Sequence, residues 1–170
     1  MTVSVSEFKA NLVKGVARPN LYRIDLPSID GIESPRELNL MCSAVNLPGK
    51  QIMTSERSIG MKYEKIAYSY AVDDIALTFI VRQDLGVKRY FEAWAARAIN
   101  FDTLEVRYKQ DYVEDVEIHQ LNSRQEIVYT CKLEDAFPTT LNAISLSNDA
   151  AGLMEFNVQL SYTDWKSTYR

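Results

Sequence analysis

With 170 residues, 46% of them apolar, the chain can build one domain with a sizeable core and has no room for a second. A net charge of −4 argues against a dedicated nucleic-acid binder, which needs a clustered Lys/Arg surface to neutralise phosphates. No apolar run is long enough for a membrane-spanning helix, and residues 1–7 lack the basic and apolar stretches of a signal peptide, so synthesis in a cytoplasm without a membrane anchor is expected.

In chain order, residues 6–13 suit a short helix with Ser6 as N-cap and Phe8 and Leu12 on one side. Alone it would be marginal in water, so it is expected to order against a neighbour. Strands are predicted at 21–26 and 38–45, separated by the turn-rich Pro27-Ser28-Ile29-Asp30-Gly31 and Ser34-Pro35. After Pro48-Gly49, residues 50–69 read as a long arm. Ile59, Met61 and Tyr63 alternate on odd positions there, and Ile66, Tyr68 and Tyr70 on even ones. The change of parity predicts a bulge or turn at Glu64-Lys65, because a one-residue slip turns every side chain to the other face.

Residues 75–81 form a strongly apolar strand that ends before Asp84, a good N-cap. Val87, Tyr90, Phe91, Trp94 and Ala98 then recur at helical spacing, predicting one substantial helix over 85–99 with an aromatic face against a sheet. A hairpin is expected at 116–121 and 127–133, turned at Asn122-Ser123-Arg124. Finally, residues 154–162 alternate apolar and polar without an error, a one-sided strand of antiparallel style. The expected fold class is mainly β: an antiparallel sandwich or split barrel with one flanking α-helix.

Catalytic chemistry has no visible basis. The six glycines never cluster, so neither a phosphate-cradling loop nor a dinucleotide fingerprint can form. His119 stands alone on a strand and reads as a surface side chain. Cys42 and Cys131 both fall within strand-like alternation and read as buried, reduced thiols. Asp73-Asp74 and Glu134-Asp135 are adjacent pairs that a strand would point apart. No catalytic residue, metal or cofactor is expected. A β-barrel holding a small ligand or flavin in its mouth is the reading from a different class.

Charge is split along the chain, +2 over residues 1–110 and −6 over 111–170. One reading is a solvated strand edge guarded by like charges. The other is a complementary contact between identical subunits, with Lys9, Lys14, Arg18, Lys50 and Arg57 against Asp111, Glu114 and Asp115. Met61 and Tyr63 on the arm would add adaptable apolar contact.

Several segments occur in a telling order: Ala17-Arg18-Pro19-Asn20-Leu21, then Cys42-Ser43-Ala44-Val45-Asn46-Leu47-Pro48-Gly49, Asp135-Ala136-Phe137-Pro138-Thr139-Thr140-Leu141, Ile144-Ser145-Leu146-Ser147-Asn148-Asp149, the strand at 154–162 and Trp165. In that order they resemble the tail tube proteins of contractile-tailed bacteriophages, over nearly the whole sequence. Phe137 stands where the family often has Trp, and the family's Asp-Trp pair near Asn148 is missing. The resemblance implies a single tube-forming domain over residues 1–170, with segment 1–17 and arm 50–69 as assembly elements. It implies six copies in a ring that share an inner barrel, and rings stacked into a hollow tube within a virion tail assembled in the host cytoplasm. Sheath, tape-measure, baseplate and tail-terminator proteins would be its partners, and DNA would pass down the bore without sequence-specific binding. Glu117 and Glu155 are the expected acidic residues of that bore. A baseplate tube initiator or a secretion-system tube ring would have the same fold.

Overall fold

The computed structural model describes residue 5 and residues 15–29, 35–101, 103–147 and 152–169. The helix expected at 6–13, together with Lys9 and Lys14, lies outside these. In order, the elements are β1 (Tyr22–Asp25), α1 (Pro35–Leu40), β2 (Cys42–Val45), β3 (Lys50–Ile59), β4 (Lys62–Val72), β5 (Ile75–Ile80), α2 (Gly86–Ala98), a 3-10 turn (Lys109–Asp111), β6 (Glu114–Leu121), β7 (Ile127–Leu141), β8 (Glu155–Ser161) and β9 (Asp164–Tyr169).

Every described strand pairing is antiparallel, and one long strand organises them. The first half of β7 lies between β6 and β9; its second half pairs with β8. Between the halves, Asp135 takes a φ of 55°, a left-handed conformation that Asp tolerates better than most side chains. β7 thereby serves two sheets, β1-β6-β7-β9 and β7-β8-β5-β2. β8 ends with Ser161 opposite Phe137 and β9 begins with Asp164 opposite Glu134, so the break between them falls at the same bend.

The inner faces meet in one core. Inward-pointing Phe156, Val158 and Leu160 on β8, Leu77 and Phe79 on β5, and Val116 and Ile118 on β6 are at most 1% exposed. Helix α2 closes the core with Val87, Tyr90, Phe91 and Trp94. The Phe91 ring lies 5.2 Å from Phe79 and 6.3 Å from Phe156, and Trp94 donates Nε1–H to the Tyr112 carbonyl at 2.8 Å. The mainly β class with one substantial flanking helix is therefore the observed fold.

Three local expectations are corrected. Residues 38–40 are not strand: Pro35, whose fixed φ suits a first helical turn, opens α1, and Leu40 is 75% exposed, so the alternation of Leu38, Leu40 and Cys42 marks no common face. The arm does not break at Glu64-Lys65. Its turn is at Gly60-Met61, with Gly60 at φ 64°, and the slip in register falls where Met53 pairs Ser69 and Thr54 pairs Ala67. Apart from its root at Val72, the ribbon's described side chains do not pack on a core, so apolar parity there does not report the pleat. His119 is not a surface side chain; it is 5% exposed, on the outer face of the β1-β6-β7-β9 sheet.

The predicted helix over 85–99 spans Gly86–Ala98, with Leu85 as cap at φ 54° and the Asp84 carboxylate accepting from Gly86 N–H at 3.2 Å. Both cysteines are free thiols; Cys131 is buried and Cys42 half-buried, and burial pushes each up to about 11. The 116–121/127–133 hairpin is present with the expected turn and is longer at its open end, where β6 starts at Glu114 and β7 runs on to Leu141.

Candidate assembly surfaces

Strands β3 and β4 form a separate two-stranded ribbon, and every residue of 50–70 whose side chain is described is exposed. Ile52, Met61, Tyr63 and Tyr68 are 66%, 98%, 77% and 65% exposed. An isolated two-stranded ribbon is marginally stable in water. Beyond Val72 at the root, which packs against the core, its described apolar side chains find no core in their own chain.

Where polar groups tie the ribbon to the body, they do so at its root. Lys50 Nζ reaches Asp164 Oδ1 at 2.6 Å on β9 and lies over the rings of Tyr70 (5.0 Å) and Trp165 (5.1 Å). Tyr70 donates its hydroxyl to Asp164 Oδ2 at 3.1 Å, and Trp165 Nε1–H reaches the Gly49 carbonyl at 3.4 Å. The hydrogen bond from Lys50, followed by those from Trp165 N–H and the Tyr70 hydroxyl, holds the Asp164 carboxyl below its usual range.

The outer faces of the two sheets differ in chemistry. On β1-β6-β7-β9 charges interleave: Arg23 pairs with Asp25 at 2.5 Å, Lys132 with Asp115 at 2.7 Å, and Lys166 with Glu134. His119 sits among them, Nδ1 at 2.9 Å from Thr130 Oγ1 and Nε2 at 3.2 Å from Asp25 Oδ2, with Glu117 at 3.6 Å. The outer face of β7-β8-β5-β2 is almost uncharged. Ala44 pairs with Thr78 and Thr78 with Asn157; Gln159 stands between Ala76 and Thr140; Glu155 beside Ile80 is the charged residue. No Lys or Arg points outward from these four strand segments. The Thr78 hydroxyl and the Asn157 amide are 2.7 Å apart. This sheet has two outer strands with one partner each, β2 and the second half of β7.

The predicted contact residues are scattered over these surfaces. Met61 is at the tip of the ribbon, Arg57 and Tyr63 along it, and Lys50 at its root, already paired within the chain. Asp111 is exposed in the 3-10 turn. Glu114 lies 3.4 Å from Arg97, and Asp115 pairs with Lys132, so both acids have partners in their own chain. Arg18 lies just before β1, 102 positions from Gln120, whose side-chain amide binds its carbonyl. Glu117 and Glu155 are on different sheets. Sequence reasoning missed the Lys50-Tyr70-Asp164-Trp165 cluster, whose members come from distant strands with no shared motif. The alternation of 154–162 did carry Asn157 and Gln159 to the outer face.

Among the described residues no group of three His, Cys, Asp or Glu could hold a metal, and no helix is long and apolar enough to cross a membrane. Residues 5–168 match the sequence model of a family described as phage tail tube protein. No curated protein sequence matches the chain. Among solved structures, a chain of the anti-feeding prophage cap, a tube-terminating cap, has a TM-score of 0.68 at 14% identity, covering 93% of this chain and 94% of that one. A chain of the extended sheath-tube complex of PVC, an extracellular contractile injection system, has a TM-score of 0.67 at 16% identity, covering 99% and 100%. One from the anti-feeding prophage baseplate reaches 0.64 at 14% identity, covering 91% and 97%. At such identities the structural likeness is one of fold, whereas the family model spans nearly the whole sequence: this chain belongs to the phage tail tube protein family.

Proposed function

We propose that this chain is the repeating subunit of the inner tube of a contractile tail, six copies closing a ring and rings stacking into a hollow filament. The observation that carries the reading is the ribbon 50–70, whose described side chains are all exposed and leave its apolar groups unburied at home. Unpaired strand edges are an aggregation hazard unless something pairs them, and a closed ring does so. The role is mechanical: a contracting sheath drives the tube, and DNA follows down the bore. Residues 1–17 and the ribbon would be the assembly elements, and sheath, tape-measure, baseplate and terminator proteins the partners. Assembly would take place in the host cytoplasm and the product would belong to the virion.

The sheet β7-β8-β5-β2 is the candidate for the wall of the bore. Its outer face offers no cation to phosphates, which would otherwise bind and slow a passing duplex. Glu155 then faces the bore and Glu117 does not. Four strands from each of six subunits, ~4.8 Å apart and tilted ~40°, give a circumference of ~150 Å and a backbone diameter of ~48 Å. Removing about 5 Å of side chain at each wall leaves a bore of order 38 Å, wide enough for a duplex.

Negative-stain microscopy of the purified protein should show rings and, at high concentration, hollow filaments. Deleting residues 52–65 should abolish both and leave a folded monomer. Monomer alone across a wide concentration range in sedimentation, with no filaments, overturns the reading. If the deletion unfolds the domain, the ribbon is part of the core and not an arm.

A further inference from the structure

We propose that Lys50 is a positioning residue: with Asp164, Tyr70 and Trp165 it forms a clamp that fixes the direction of the β3–β4 ribbon before any partner arrives. This rests on reading the ribbon as an assembly arm, but the clamp itself is a property of the single chain.

A ribbon joined to its domain through Asn46-Leu47-Pro48-Gly49 at one end and Asp73-Asp74 at the other has, among its described side chains, only Val72 at the root packed against the core, and none farther along to orient it. Among the described residues, its hydrogen bonds and ion pairs to the body all converge at the root. The Lys50 ammonium is held in three ways, by the Asp164 carboxylate at 2.6 Å and by two aromatic faces about equally distant, at 5.0 and 5.1 Å. Each ring is itself anchored, Tyr70 by its hydroxyl on the same carboxylate and Trp165 by its N–H on the Gly49 carbonyl. Tyr70 belongs to β4, Lys50 to β3, and Asp164 and Trp165 to β9, so the cluster joins both strands of the ribbon to the rigid sheet. An exposed ion pair alone contributes little, but a cation set between two rings adds a separate attraction, and the shared carboxylate couples them. Fixing the arm in advance removes part of the ordering cost from the docking step.

Hydrogen exchange on the unassembled chain tests the clamp directly. Lys50→Met should speed exchange of the root amides, 50–53 and 69–72, by about tenfold, equivalent to ~1.4 kcal/mol, without altering exchange in β7 and β8. Asp164→Asn should act in the same direction, and Lys50→Arg, which keeps both the charge and the ring contacts, should retain protection. Spin labels at Met61→Cys and Arg124→Cys, in a Cys42→Ser/Cys131→Ala background, should give one narrow distance distribution that widens in Lys50→Met. Assembly of Lys50→Met should then need a higher protein concentration than that of the parent. Unchanged root exchange in both Lys50→Met and Asp164→Asn overturns the clamp. A loosened root with undiminished assembly overturns the positioning role. If the parent itself never assembles, the tube reading falls and the positioning role with it, while the exchange result on the root stands.

Discussion

His119 shows how much one side chain can depend on its strand neighbours. In the neutral ring, the Asp25 carboxylate can only accept, so Nε2 carries the proton and Nδ1 accepts from the Thr130 hydroxyl. One ring thus bridges β1, the outer strand of its sheet, to β7 across β6. His119→Leu keeps the bulk and removes both bonds, leaving the Thr130 hydroxyl without its ring acceptor beside a half-buried carboxylate. The expected loss is about 1–3 kcal/mol, read as a lower urea midpoint with an unchanged slope. The strand pattern placed His119 on the polar face, and that placement holds. Its burial follows from residues on two other strands, which no local pattern contains.

At the scale of elements, α2 was the most legible part of the chain. Its aromatic spacing predicted both the helix and its buried face: Val87, Tyr90, Phe91 and Trp94 are at 0–1% exposure, and of the predicted stripe only Ala98 at the C-terminal end is half-buried. Trp94→Ala should therefore cost about 3–5 kcal/mol, because a large side chain leaves a cavity that sheet and helix cannot both collapse into. It also strips the Tyr112 carbonyl of its donor. Chemical denaturation followed by far-UV circular dichroism measures the loss; a change under ~1 kcal/mol would mean that the site repacks. Strand β7 was only half legible. Alternation marked its first part, but the left-handed Asp135 breaks the parity, so the second part, which begins the other sheet, did not extend the pattern.

For the molecule as a whole, the charge split between the first 110 residues and the last 60 bears on stacking. Much of the acidic patch is spent internally, Glu114 on Arg97 and Asp115 on Lys132, and Lys50 is held by Asp164. Arg18, Arg57 and Asp111 have no side-chain partner among the described residues. In the proposed tube, the electrostatic share of ring stacking would therefore fall to these among the described contact candidates and be modest, about 0–1 kcal/mol for each exposed pair, with six-fold repetition multiplying it. Filament assembly should weaken as salt rises toward ~0.5 M, where screening acts within a few ångströms. Asp111→Lys should raise the protein concentration needed for assembly at low salt and lose that effect at high salt, as followed by light scattering. Reversing Glu114 and Asp115 would be less clean, since it also breaks pairs inside the subunit. Assembly indifferent to both salt and Asp111→Lys would leave apolar contacts as the only glue between rings.

By itself, the sequence determined the mainly β class, the single long helix, the strand at 154–162 and the family, because these depend on local periodicity or on the order of short segments. It also indicated an arm at 50–69, through a run of apolar and charged residues that matches no buried face. Tertiary structure decided the rest. Which outer face is charged and which is almost neutral depends on strand order, since Glu117 and Glu155 look alike in sequence and stand on different sheets. The clamp depends on bringing Lys50, Tyr70, Asp164 and Trp165 together from positions more than 100 apart at the extremes, and the internal pairing of the acidic patch on β6 meeting α2 and β7. Pairings of this kind are set by sheet register, which follows from burying one face of every strand at once, and no single segment specifies it.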